Sequence, residues 1–249
     1  MSANPLLQIS PWEGPLILVN REHAIRKSTP EPLVPVGGQP DVLLCRQAAA
    51  QLESLMAKLG GWRDIVPVSG WRSFAEQQSI WDNTLAESGP EFTHKYVAFP
   101  GHSEHQTGLA IDLALRQNFI DFICPEFPYT GICQKFRERA PQFGFIERYP
   151  AGKESITGIG HEPWHFRYVG TPHAEIMKKE QLTLEEYVLF IKQFPYGQSS
   201  FVVHTGKTTA GISFCPTDTE TVRLPELTAK NPHYISGNNV DGYIITEWR

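Results

Sequence analysis

The chain has 249 residues, carries 22 Lys and Arg against 27 Asp and Glu, and is 41% hydrophobic and 20% charged. A net charge of −5 argues against a protein that neutralises nucleic-acid phosphates, which needs concentrated positive charge. The apolar content suits one large domain, or one domain with a small appendage. No run approaches the roughly 18 apolar residues of a membrane span, and the first 13 residues lack a basic region followed by an apolar one. The protein is therefore expected to act in the cytoplasm, where it is made. Cys45, Cys124, Cys133 and Cys215 form no CxxC pair and read as small buried hydrophobes in a reducing compartment.

Residues 14–40 contain Pro15, Pro30, Pro32, Pro35, Gly37, Gly38 and Pro40, which predicts a winding segment with one short strand at 16–19. From Asp41, a residue suited to capping, Leu44, Ala48, Leu52, Leu55 and Leu59 recur at helical spacing until Gly60 and Gly61, predicting a core-facing helix. Residues 65–70 read as a buried strand. Ser73 and Glu76 form a capping box for a second helix with Phe74, Trp81 and Leu85 as its apolar stripe, ending before Gly89 and Pro90. Over 108–115, Leu109, Ile111, Leu113 and Leu115 alternate with Ala110, Asp112 and Ala114, so a strand sets one acid between two alanines on a single face.

Phe136 and Ala140 lie on a short helix ending near Pro141, residues 143–149 are extended or turning, and 164–169 form a strand by their aromatic and β-branched content. Thr183 and Glu186 make another capping box, opening a helix to about Gln193 with Leu184, Tyr187, Ile191 and Phe194 as its buried stripe. Beyond Gly197, short β runs at 201–203, 212–214, 222–224 and 243–245 predict a small β appendage. The expected division is a catalytic domain over 1–196 and an appendage over 197–249.

Six of the nine histidines lie between positions 94 and 173. In P-G-H-S-E-H-Q-T-G-L-A-I-D, His105 and Asp112 are seven residues apart. A fully extended chain would separate them by about 23 Å at ~3.3 Å per residue, but Gly108 lets the chain turn back. A second segment, His161-Glu162-Pro163-Trp164-His165, spells H-E-x-x-H, which in many metalloproteases is a zinc-binding helix. Here Pro163 opposes a helix by about 3 kcal/mol, as do Gly158 and Gly160 before it and Phe166, Tyr168 and Val169 after it.

The segment therefore reads as extended or turning, with His165 a ligand and Glu162 a base. His105, Asp112 and His165 then supply two nitrogens and one oxygen with a fourth position open, a set suited to zinc and to metal-assisted hydrolysis. His102 and His161 read as supporting or structural, and His94, His173, His204 and His233 as solvated or hydrogen-bonded side chains.

At these residues the sequence resembles the VanY/VanXY group of zinc D-alanyl-D-alanine carboxypeptidases and dipeptidases, a group linked to vancomycin resistance and related to the lysostaphin/hedgehog-like fold. The pattern S-x-H-x-x-G-x-A-x-D is present as Ser103, His105, Gly108, Ala110 and Asp112, and E-x-W-H as Glu162, Trp164 and His165. S-G-W-R-S at 69–73 matches the group's strand-to-helix junction, whose arginine, here Arg72, polarises the substrate carbonyl and steadies the oxyanion. The similarity runs over about 15–195 and includes E-Q-Q-x-I-W and G-K-E-x-I-T-G.

The resemblance implies an α+β fold, with a small antiparallel sheet carrying the zinc site and helices packed on its other face. It implies as substrate D-Ala-D-Ala or a peptidoglycan precursor peptide ending in it, and, as in the VanXY type, a cytoplasmic location. Ser103 reads either as a turn residue or as a hydrogen-bonding group for substrate. Gln77 and Gln78 follow the capping box, and of the two Gln78 is the expected substrate contact. Two other readings stand beside this one: a helical H-E-x-x-H metalloendopeptidase using His161, His165 and an acid such as Glu185, and a non-catalytic hedgehog-like binding module with a structural zinc.

Overall fold

The computed structural model describes residues 10–26, 32–206, 208–217 and 233–249. They fall into two compact units, residues 19–183 and residues 10–18 together with 184–249. In the first unit, β1 (Leu33–Val36) and β2 (Gln39–Cys45) form an antiparallel hairpin turning at Gly37 and Gly38. Asp41 lies in β2 and caps no helix, and α1 (Arg46–Leu59), with Cys45 at its N-cap, starts four residues later than the sequence pattern suggests. The reason is the hairpin, whose ladder pairs Leu43, Leu44 and Cys45 with β1. Helix α1 still buries Ala48, Leu52 and Leu55, and it ends at the left-handed Gly60.

Strand β3 (Ile65–Ser69) leads to α2 (Phe74–Tyr96) through the expected capping box, in which the Glu76 amide donates to Ser73 Oγ at 3.2 Å and the Ser73 amide to Glu76 Oε2 at 2.7 Å. Helical geometry breaks at Gly89 and resumes from Pro90, because a residue without an amide hydrogen is at home in a first helical turn. The expected apolar stripe is wrong: Phe74 is 58% and Leu85 38% exposed. The buried positions are Gln77, Thr84 and Thr93. Of these, Gln77 donates through Nε2 to the Ala98 carbonyl and Thr93 through Oγ1 to the Gly89 carbonyl, each at 2.8 Å.

Then follow β4 (Ala110–Leu115), α3 (Gly131–Arg139), β5 (Phe145–Tyr149), the single turn α4 (Glu154–Thr157), β6 (Glu162–Tyr168) and α5 (His173–Glu180). The four strands form an antiparallel sheet in the order β3-β4-β6-β5, the α+β arrangement expected. Ile111 sits opposite Phe166 and Asp112 opposite His165. Residues opposite each other share a face and neighbours along a strand do not, so one face carries Ile111, Leu113 and Phe166 and the other carries Asp112 and His165. The apolar face is closed by Phe127 and Phe136, whose rings meet Phe166 at centroid distances of 5.4 and 4.8 Å. Burial of each such ring contributes about 1.5–3 kcal/mol.

In the second unit, residues 16–18 are buried but form no strand, contrary to expectation. Their amides are satisfied irregularly, Leu16 by Ser236 Oγ and Leu18 by the Asn238 carbonyl. Helix α6 (Leu184–Ile191) precedes β7 (Phe201–Thr205), β8 (Thr208–Pro216), β9 (His233–Gly237) and β10 (Gly242–Trp248), which form a sheet in the order β7-β8-β10-β9. The run expected at 222–224 lies outside the described residues, and β9 was not anticipated. The unit begins at Leu184 and not at 197, because the segment after α6 is tied to β8: Tyr196 donates to the Phe214 carbonyl and Phe214 to that of Phe194. All four cysteines are free, Cys45 and Cys133 buried and Cys124 and Cys215 half-buried. Among the described residues no helix is long and apolar enough to cross a membrane.

His173, at the start of α5, is buried, and burial pushes its imidazole down to about 3. The unfolded chain, titrating near 6.5, binds the proton first. The contribution is therefore fully present above pH 6.5 and is lost at about 1.4 kcal/mol per pH unit as the pH falls towards 3. Urea midpoints measured from pH 7 to 4 are expected to fall, and His173→Asn to remove part of that slope. Parallel curves for the two proteins would refute the assignment.

Candidate active site

Asp112 in β4 is flanked by Ser69 of β3 and His165 of β6 in the strand register. The cross-strand pairing brings His165 Nδ1 to 3.0 Å from Asp112 Oδ1. His105 lies on a 3-10 turn at Glu104–Thr107 that ends at Gly108, with φ +71°. That left-handed residue, which strongly favours glycine, turns the chain into β4, and His105 Nε2 comes to 3.1 Å from Asp112 Oδ2. Gly70 makes a second requirement, since a Cβ there would lie 2.2 Å from the Leu43 carbonyl. Its own carbonyl oxygen is 2.6 Å from His105 Nδ1. A carbonyl only accepts, so Nδ1 carries the proton and Nε2 presents its lone pair.

His105, Asp112 and His165 are thus all buried, with ligand atoms within 4.8 Å of one another. Asp112 Oδ1 and His165 Nε2 have no hydrogen-bond partner among the described residues. Two imidazoles and a carboxylate that converge while a buried oxygen stays unsatisfied are a donor set for a metal ion, and this N/N/O mixture suits zinc better than calcium or magnesium. Burial alone would raise the Asp112 carboxyl, but His105 and His165 outweigh it and hold it well below the usual range. Burial lowers His105 to about 4. It would also lower His165, but the carboxylates of Asp112, Glu104 and Glu162 reverse the effect and raise it to about 9.

Glu162, at the start of β6, is buried with Oε2 3.6 Å from His165 Nδ1. Burial pushes its carboxyl up to about 8, against the opposing pull of His165 and Arg72. Arg72 projects from the β3–α2 junction, with Nε donating to Ser69 Oγ at 2.8 Å and Nη2 to Asp112 Oδ2 at 2.9 Å. Its Nη1 is 3.4 Å from Gln77 Oε1. Ser103 is buried and lines the same cavity as Arg72, Gln77, Glu162 and the three candidate ligands.

Gln78 does not join them. It donates to Asp82 on the outer face of α2, and Gln77, one residue earlier in the helical phase, is the side chain turned to the cavity. His102 instead faces the Asn20 carbonyl and His161 the Tyr129 hydroxyl. Because 162–168 is a strand, His161 and His165 share no helical face, which overturns the metalloendopeptidase reading. Sequence reasoning missed Glu104, whose buried carboxylate accepts from Arg148 and Arg167. Its only sequence signal is an acid set between Ser103 and His105.

Comparison with known proteins agrees with this geometry. The VanY family pattern, described as D-alanyl-D-alanine carboxypeptidase, matches residues 42–171. The bifunctional D-Ala-D-Ala dipeptidase and D-Ala-D-Ala carboxypeptidase VanXYC of Enterococcus gallinarum is 42% identical over 182 residues, 72% of this chain and 95% of that protein. Among solved structures, the vancomycin resistance D,D-dipeptidase VanXYg in complex with a D-Ala-D-Ala phosphinate analogue matches with a TM-score of 0.91 and 44% identity, covering 96% of each chain. A VanY D,D-pentapeptidase from a VanB-type resistance cassette, in complex with Zn(II), matches with a TM-score of 0.60 and 32% identity over 71% of this chain and 99% of that one. With a family pattern spanning more than half its length and a relative matched almost end to end, the chain belongs to the VanY family of D-alanyl-D-alanine carboxypeptidases.

Proposed function

We propose that this D,D-peptidase is zinc-dependent and bifunctional, releasing D-Ala both from the dipeptide D-Ala-D-Ala and from longer precursor peptides that end in it. The observation that carries the reading is the convergence of His105, Asp112 and His165 beside a buried glutamate and an arginine in one cavity. The likeness to the bifunctional VanXYC supports the dual substrate range, and the Zn(II) complex of a related pentapeptidase supports the metal. We assign the chemistry to the unit of residues 19–183 and extend the reading to a cytoplasmic enzyme acting on soluble precursors, on the strength of the likeness to VanXY proteins.

His105, Asp112 and His165 would hold the metal, which when bound supplies Lewis-acid polarisation of oxygen atoms. Glu162 takes the proton from the attacking water and passes it to the leaving D-Ala amine as the peptide C–N bond breaks. Arg72, held by Ser69 and Asp112, presents fixed cationic donors to the oxyanion as it develops. Ser103 and Gln77 supply polar groups on the cavity wall for the anionic C-terminus of the substrate. A non-catalytic module with a structural zinc has no use for a buried glutamate set 3.6 Å from His165 in the same cavity.

Free D-Ala should appear from both D-Ala-D-Ala and a longer peptide ending in D-Ala-D-Ala, should vanish on chelation and should return with zinc. Release from one substrate alone would refute bifunctionality, and undiminished activity of the metal-free protein would refute the metal assignment. Glu162→Gln is expected to lower kcat by about 10²–10⁴-fold with the zinc content per chain unchanged by elemental analysis, and full turnover would remove Glu162 as the base. Arg72→Lys keeps the charge but loses the planar fork that reaches Ser69 and Asp112 together. A drop of about 10²-fold in kcat is expected, and wild-type kcat would exclude the oxyanion role.

A further inference from the structure

Glu104 stands next to His105 in the chain, yet its carboxylate faces the other histidine. The side chains of Glu104, Arg148 and Arg167 are wholly enclosed, each 0% exposed. Glu104 Oε1 accepts from Arg148 Nε at 2.8 Å and from Arg167 Nη1 at 2.7 Å. Two guanidinium groups donating to one oxygen orient the carboxylate. The other oxygen, Oε2, has no hydrogen-bond partner among the described residues, and it lies 3.5 Å from His165 Nε2, which has none either. A buried lone pair on Nε2 aimed at a carboxylate would be repelled, whereas a proton there turns the contact into attraction. With that proton kept on Nε2, the nitrogen that gives up its proton when a cation binds is Nδ1, which lies 3.0 Å from Asp112 Oδ1.

We propose that Glu104, clamped by Arg148 and Arg167, is a positioning residue that fixes His165 as the Nε2-protonated tautomer and so readies Nδ1 for the metal. The inference rests on the metal reading above. His105 shows the same logic with a different acceptor, its Nδ1 being held by the Gly70 carbonyl. The clamp also dictates what Glu104→Gln does. Arg148 and Arg167 can only donate, so the amide oxygen must take the place of Oε1 and the amide NH₂ is turned towards His165. It donates to Nε2 and selects the opposite tautomer, whose Nδ1 carries a proton and binds no metal.

The test measures zinc dissociation constants by competition with a chromophoric chelator for the wild-type protein and Glu104→Gln, with circular dichroism as a check on folding. Histidine ¹⁵N NMR of the zinc-loaded wild type reports where the His165 proton sits. Glu104→Gln should bind zinc about 10–100-fold more weakly, and the wild type should show a slowly exchanging proton on His165 Nε2. Equal affinity of two folded proteins, or a wild-type His165 without that proton, would overturn the proposal. Should Glu104→Gln not fold, the wild-type spectrum alone decides. A wild-type protein that takes up no zinc sinks the metal reading and this inference together, whereas equal affinities sink only this inference.

Discussion

The antiparallel register of β4 against β6, which sets Asp112 opposite His165, is the constraint on which the site depends. A slip of one residue would exchange faces, bringing Ile111 or Phe166 to the site and turning Asp112 or His165 into the core. What holds the register is on the far side of the sheet. Ile111, Leu113 and Phe166 are buried, and Phe166 packs edge-to-face against Phe127 and Phe136, each ring contributing a few kcal/mol through burial and edge-to-face contact. The hydrophobic core therefore specifies the separation of two polar side chains on the opposite face of the sheet.

The remaining groups reach Asp112 through local departures from regular structure. Gly108 turns the 3-10 segment so that His105 folds back on the strand that follows it, and Gly70 lets β3 run against β2 closely enough for its carbonyl to orient the His105 ring. The β3–β4 pairing shifts register between Pro67 and Ser69, just before the chain leaves the sheet to deliver Arg72. Arg72, His105, Asp112, Glu162 and His165 thus each come from a strand or from a turn adjoining one. That is the kind of support which keeps a reactive constellation within the tolerance its chemistry requires.

Features governed by local chain chemistry were legible in the sequence. The alternation around Asp112, the turn at Gly108, the Ser73–Glu76 capping box and the refusal of Pro163 to sit in a helix all follow from residues a few positions apart. What was not legible depends on partners distant in the chain. Residues 41–45 carry a helix-compatible pattern but pair with β1, and Phe74 and Leu85 look apolar enough for a core that α2 does not face. The choice between Gln77 and Gln78 turns on the rotation of α2 about its axis, which the capping box does not set. Glu104 meets arginines 44 and 63 residues away, so nothing near it in sequence shows that it is buried.

These buried charges are better explained by function than by stability. Replacing a buried ion pair with well-packed apolar side chains is often neutral or stabilising, whereas removing one partner costs several kcal/mol. An enclosed Glu104 with two arginines, together with Arg72 against Asp112, is thus an arrangement that stability alone would not favour. The orphaned Asp112 Oδ1 sharpens the point, since a buried polar group without a partner costs about 1–3 kcal/mol. The apolar face of the same sheet supplies the burial that offsets this cost. One sheet therefore divides the labour between its faces: aromatic packing fixes the strands on one side, so that on the other a set of groups can be held in an unsatisfied geometry that a cation would complete.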